Sequence, residues 1–181
     1  MASVIAFPDD RDLAPPQTTV GEFPAIVEAH ERMVFSIAMH MLGRASEAEE
    51  LAQEVFLQLY RHLPEIESES HLLHWLRRVT TNRCIDHVRR NRFTPISFES
   101  IAEPRSPDRS PDPLLSRTLR TLLATLPASQ RAVVTLRYQE DLEPREIASV
   151  LGVPVSTVKS HLHRALVSLR RKVSLSPRRV V

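Results

Sequence analysis

The stretch that decides the fold is "REIASVLGVPVSTVKSHLHRAL", Arg145–Leu166. Pro144 stands where the first turn of a helix needs no N–H donor, so a short helix is expected over Arg145–Leu151. Gly152 can then supply the left-handed turn that ends it. Ser156 is read as the N-cap of a longer helix running to about Val173, with Val158, Leu162, Ala165, Leu166 and Leu169 on its buried side. A short helix, a glycine turn and a basic second helix make the layout of a DNA-binding helix-turn-helix. With the apolar stripe turned inward, Lys159, Ser160, His163 and Arg164 are left outward near the start of the second helix. An arginine can donate two hydrogen bonds to guanine in the major groove, while Ser and Lys can reach bases or phosphates. Ser156 and Thr157 open the helix at the end that suits a phosphate, and Arg171 adds a phosphate-directed cation two turns beyond Arg164.

Working outward, Leu114–Leu126 and a helix after Pro127 carrying Val133, Val134, Leu136 and Tyr138 complete the second half. From Thr94 to Pro113 the apolar period gives way to Pro, Ser and charge; Pro104, Pro107, Pro111 and Pro113 make a regular helix implausible there. Such a linker spans on the order of 65 Å if extended at ~3.3 Å per residue. Before it, helices are predicted over Phe23–Leu42, Ala45–Leu63 and His71–Arg92. The second has Ala48, Leu51, Ala52, Val55, Phe56, Leu59, Tyr60 and Leu63 at three- and four-residue spacing. The third has Leu72, Leu76, Thr80, Cys84 and Val88 at steps of four, with Trp75 and Val79 beside them; these stripes should form one core. The expectation is an all-α chain of two small helical domains joined by a flexible Pro-rich linker, the second ending in the helix-turn-helix. Its divisions are a tail over 1–22, a first domain over 23–93, a linker over 94–113, a second domain over 114–175 and a basic tail over 176–181.

Composition agrees. The 181 residues contain only three glycines, too few for a turn-rich β fold, while 42% hydrophobic content suffices for a core. The formal charge of +2 conceals an asymmetry. Acids dominate from Glu22 to Glu54. Arg77, Arg78, Arg83, Arg89, Arg90 and Arg92 face the single acid Asp86 between His74 and Phe93, and from Val155 onward no acid occurs. Two basic elements suggest two contacts with a polyanion. The lone Cys84 allows no intrachain disulfide, and neither a membrane-spanning run nor a signal peptide is evident, so a cytoplasmic protein is expected. His71, His74 and Cys84 lack a standard zinc spacing and no Gly-rich phosphate loop occurs; neither metal, cofactor nor enzymatic activity is expected.

"LPASQRAVVTLRYQEDLEPREIASVLGVPVSTVKSHLHRALVSLRRKV", Leu126–Val173, resembles the C-terminal promoter-binding domain of the extracytoplasmic-function (ECF) class of bacterial RNA polymerase sigma factors. "SEAEELAQEVFLQLYRHL", Ser46–Leu63, resembles the sigma helix that docks on the clamp coiled coil of the largest polymerase subunit, and "HLLHWLRRVTTNRCIDHVRRNR", His71–Arg92, the helix that engages the −10 element. The resemblance implies region 2 and region 4 domains, a protein that directs core RNA polymerase to promoters and assists their opening, and an anti-sigma factor as a further partner. It puts polymerase contacts on Glu47, Glu50, Gln53 and Glu54, whose acidic, amide-bearing surface suits a basic partner. It puts −10 contacts on Arg78, Asn82, Asp86, Arg89 and Arg90, where arginines can hold phosphates while an amide reads a base edge. Contacts with the −35 element fall to Lys159, Ser160, His163 and Arg164, with Arg137 on phosphate. A flipped base would be taken by the loop Pro64–His71; its acidic "PEIESES" lacks the aromatic and arginine of some relatives. Asp86 can also pair with Arg89 or Arg90 at helical spacing. The linker's acidic excess resembles the connector that threads the polymerase's RNA path.

An autonomous operator-binding regulator is the other reading of the helix-turn-helix, but it accounts for the second half alone. Trp75, beside the apolar stripe, is read as a core residue before a base-stacking one.

Overall fold

The computed structural model describes residues 22–91 and 113–175. Within them lie seven α-helices and no strand: α1 Glu22–Leu42, α2 Ala45–His62, α3 Glu69–Arg90, α4 Pro113–Ala124, α5 Ala128–Tyr138, α6 Pro144–Leu151 and α7 Val155–Leu175. The predicted N-terminal tail, most of the linker and the basic C-terminal tail lie outside the described residues.

Helix boundaries follow local chemistry. Gly43, at φ 81°, ends α1 in the left-handed region, its N–H returning to the Met39 carbonyl at 2.9 Å. Between α2 and α3 the chain makes a single 3₁₀ turn, Leu63–Glu65, and Ser68 then caps α3 by accepting from the His71 N–H at 3.2 Å. This turn lies in the proposed base-pocket loop; its residues are exposed except for Ile66, which packs against the core.

Helices α1, α2 and α3 surround one apolar cluster. Ile37, Met41, Leu59 and Leu76 are fully buried within it, each worth about 1.5–3 kcal/mol relative to exposure. Trp75 packs half-buried against the cluster, as the stripe predicts, near the His62 ring. In the second half, Val133, Leu136, Ile147, Val150 and Val158 form a core between α5, α6 and α7, while Leu123, Leu126, Val134 and Ala165 join α4 to α7.

Three details differ from expectation. Helix α7 starts one residue early, with the Pro154 carbonyl accepting its first bonds, so Ser156 lies in the first turn and does not cap it. Leu166 is 39% exposed; the inward side of α7 is narrower than its apolar spacing suggests and holds Val158 and Ala165. Tyr138 and Tyr60, counted with apolar stripes, are also exposed, Tyr60 against the edge of Phe23.

The two halves also touch. Helices α5 and α6 pack on α3, and α4 and α5 on α1, so that Ala132 of α5 belongs to the first half's apolar cluster and Leu151 packs against it.

Candidate nucleic-acid interface

The α6–α7 turn is built as its sequence demands. The Glu146 carboxylate accepts from the Glu143 N–H at 2.7 Å, and Pro144 occupies the first turn of α6. Gly152 closes α6 at φ 64°, and the Val153 N–H returns to the Ala148 carbonyl at 3.1 Å. A Cβ at Gly152 would meet only Arg78 Nη2, at 3.9 Å, so backbone sign and not space calls for glycine. This fixes α7 against α6 and presents its outer side: Ser156, Lys159, Ser160, His163, Arg164 and Arg171 are exposed, and Thr157 is half-buried.

Arg137 has a local role as well. Its Nη1 donates to the Leu142 carbonyl at 3.1 Å and pairs with Glu143 at 3.0 Å, spanning the α5–α6 turn in which Asp141 takes a positive φ of 52°.

On α2, Glu50, Gln53 and Glu54 are exposed. Glu54 meets Arg83 Nη1 at 2.9 Å, and Gln58 accepts from the same guanidinium at 2.8 Å. An exposed pair of this kind contributes at most about 1 kcal/mol, so a cationic partner can displace it readily. Glu47 is engaged inside the domain, by Arg44 at 2.9 Å and His87 Nε2 at 3.1 Å. Leu57, one turn beyond Gln53, is 65% exposed and adds an apolar element to this face that periodicity assigns to no core.

Helix α3 presents Asp86, Arg89 and Arg90 to solvent, with Arg78 and Asn82 half-buried. Asp86 and Arg89 approach to 4.0 Å, a loose pair at the predicted helical spacing. His74, on the same helix, holds its proton less readily than an ordinary histidine, because burial and then Arg78, His71 and Arg77 all oppose its charge. Burial likewise raises the Cys84 thiol pKa, which keeps it protonated. Among the described residues no group of His, Cys, Asp or Glu is arranged to hold a metal ion.

The family descriptions "Sigma-70 region 2" and "Sigma-70, region 4" match residues 26–94 and 116–169. The chain is 30% identical over 166 residues to the ECF RNA polymerase sigma factor SigW of Bacillus subtilis (strain 168), covering 83% of this chain and 88% of that protein. This chain belongs to the ECF RNA polymerase sigma factors. As a sigma factor it directs core RNA polymerase to promoters at transcription initiation and catalyses no reaction itself. It is also 33% identical over 153 residues to the ECF sigma factor SigL of Mycobacterium tuberculosis (strain ATCC 25618 / H37Rv), covering 81% of this chain and 85% of that protein. The fold is similar to that of the sigma factor RpoE in its co-crystal with the anti-sigma factor NepR from Bartonella quintana, with a TM-score of 0.69 and 22% identity. That match covers 87% of this chain and 99% of the other.

Residues that link the halves escaped the sequence reading. Arg77 Nε donates to Glu140 at 3.1 Å, Gln139 donates to Ser36 Oγ at 2.9 Å, and Arg131 donates to the Met41 carbonyl. Their separations of 63, 103 and 90 residues leave no local pattern that could reveal them.

Proposed function

We propose that this sigma factor divides its contacts among three helices: α2 docks on core polymerase, α3 engages the −10 element and α7 reads the −35 element. The observation that carries the reading is the outward face of α7, where Lys159, Ser160, His163 and Arg164 are exposed around a helix start while Val158 and Ala165 anchor its other side. Arg164 is the bidentate base reader; Lys159 and Arg171 hold phosphates, joined by Ser156 and Thr157 at the helix N-terminus and by Arg137 beside the turn. On α3, Arg78, Arg89 and Arg90 hold the backbone of the opening duplex and Asn82 reads a base edge, with Asp86 orienting Arg89.

On α2, Glu50, Gln53 and Glu54 meet a basic partner with Leu57 as an apolar anchor, and Glu47 orders the helix from within through Arg44 and His87. The partners are core polymerase, promoter DNA and an anti-sigma factor; the RpoE–NepR co-crystal supports the last, since that protein shares this fold. The site of action is the cytoplasm; among the described residues no helix is long and apolar enough to cross a membrane.

The experiment is co-purification with core polymerase, followed by transcription from a specific promoter. Replacing Gln53 and Glu54 with Ala, or Glu54→Lys, is expected to reduce co-purification and abolish promoter-specific transcripts. Full polymerase binding by Glu54→Lys contradicts the α2 assignment. Tight operator binding by the wild-type chain without polymerase would favour the autonomous regulator.

A further inference from the structure

The contact between the halves is specific. At its centre Arg131, on α5, is buried, and its guanidinium faces only carbonyls among its hydrogen-bond partners: Met41 in the last turn of α1, Ala124 at the end of α4 (2.5 Å) and Leu126 (3.2 Å). Two helix C-termini, one from each half, therefore converge on a single cation, where unpaired carbonyls and the negative ends of the helix dipoles both favour it. Beside it, Arg77 of α3 pairs with Glu140, whose side chain is only 8% exposed, and Gln139 bonds Ser36 of α1. A nearly buried carboxylate with one cationic partner depends strongly on that partner.

The position of this contact matters more than its strength. The second half rests on α1 and α3 through α4, α5 and α6, leaving the outer faces of α2 and α7 exposed. On α3 it places Gly152 beside Arg78, one turn from Asn82. Both side chains are half-buried, whereas Arg89 and Arg90 farther along remain open. Of the three faces assigned above, only the −10 face meets the other half.

We propose that the Arg77–Glu140 pair, the Gln139–Ser36 bond and the Arg131 clasp form an autoinhibitory latch that shields the Arg78–Asn82 part of α3 in the free chain and must part before that helix engages the −10 element. The proposal rests on the α3 reading given under Proposed function. It allows the polymerase and −35 faces to act while the latch is shut, so the −10 contact comes last.

The test uses the full-length chain without polymerase. A donor–acceptor dye pair at Ser46→Cys on α2 and Ser149→Cys on α6, both exposed, reports the separation of the halves, while buried Cys84 stays unlabelled. The wild-type chain is expected to give one short distance. Glu140→Arg, facing Arg77, lengthens and broadens it, and adding Arg77→Glu restores it. Glu140→Gln opens the chain more gently and carries the test if circular dichroism shows that Glu140→Arg loses helix.

Opening should tighten binding of a premelted −10 fragment roughly tenfold, the gain expected when the competent form rises from about a tenth to nearly all of the population. A random single strand of equal length, which responds to added positive charge alone, should gain much less. Unchanged dye distances in both Glu140 variants, or an opened chain with no selective gain for the −10 fragment, would overturn the latch. Asn82→Ala placed in the opened chain separates the two claims. If it leaves fragment binding intact, the α3 reading fails, whereas the dye distances still judge the contact.

Discussion

Helices α3 and α7 carry the two basic segments of the chain, yet they are built differently. Helix α7 has an inward side and an outward side; Val158 and Ala165 occupy the first, and Lys159, Ser160, His163 and Arg164 the second. Helix α3 has three sides. Leu72, Leu76 and Val79 enter the first half's core, Asp86, Arg89 and Arg90 face solvent, and between them Arg77 and the neighbourhood of Arg78 meet α5 and α6. A nucleic-acid face can be deduced from periodicity when a helix has one buried side. Where a second buried side is polar, as at Arg77 and Glu140, periodicity cannot distinguish it from a solvated one.

The largest expected effect comes from the core side of α3. Leu76→Ala removes a fully buried side chain and should destabilise the first half by roughly 2–5 kcal/mol. Urea denaturation followed by circular dichroism should show the loss, and a change below about 0.5 kcal/mol would place this side of α3 outside the core. Next comes the outward side of α7. Arg164→Ala should cost roughly 1–3 kcal/mol of discrimination at the −35 element with folding unchanged. Promoter variants titrated against polymerase holoenzyme measure it, and equal preference for every −35 sequence in both proteins contradicts the assignment.

The smallest effect concerns the third side of α3. The His74 pKa is depressed from its ordinary value of 6.5, so the stability that its neutral form contributes is complete above that pH and declines as the pH falls through the window beneath it. The unfolded chain accepts the proton first. Urea midpoints at about pH 7.5 and about pH 5.5 should therefore differ more for the wild-type chain than for His74→Gln. Equal acid sensitivity in the two proteins would remove His74 from this account.

Most helices were readable because their determinants are local: Pro144 and Gly152 bracket α6, and apolar spacing marks α2 and the core side of α3. The outward residues of α7 followed from the same spacing. Leu166 and Tyr138 broke the pattern because small helical domains leave apolar side chains at their rims. Glu47 looked like its exposed neighbours in sequence, and its engagement by Arg44 and His87 depends on how α3 crosses α2. The Arg131 clasp was invisible for a similar reason. A cation that bonds carbonyls leaves no partner residue type to search for, and its farthest partner lies 90 residues away.

The division of promoter reading between α7 and α3 is tested most directly by one crossed measurement. Transcription is assayed with core polymerase reconstituted with wild-type chain, Arg164→Ala or Asn82→Ala, on duplex promoters altered at −35 or −10 and on templates premelted at −10. The account predicts that Arg164→Ala loses preference at −35 alone. Asn82→Ala should lose activity on duplex DNA and regain much of it on the premelted template, with polymerase binding unchanged. An identical defect of Asn82→Ala on both templates, or a change in −35 preference caused by Asn82→Ala, would contradict it.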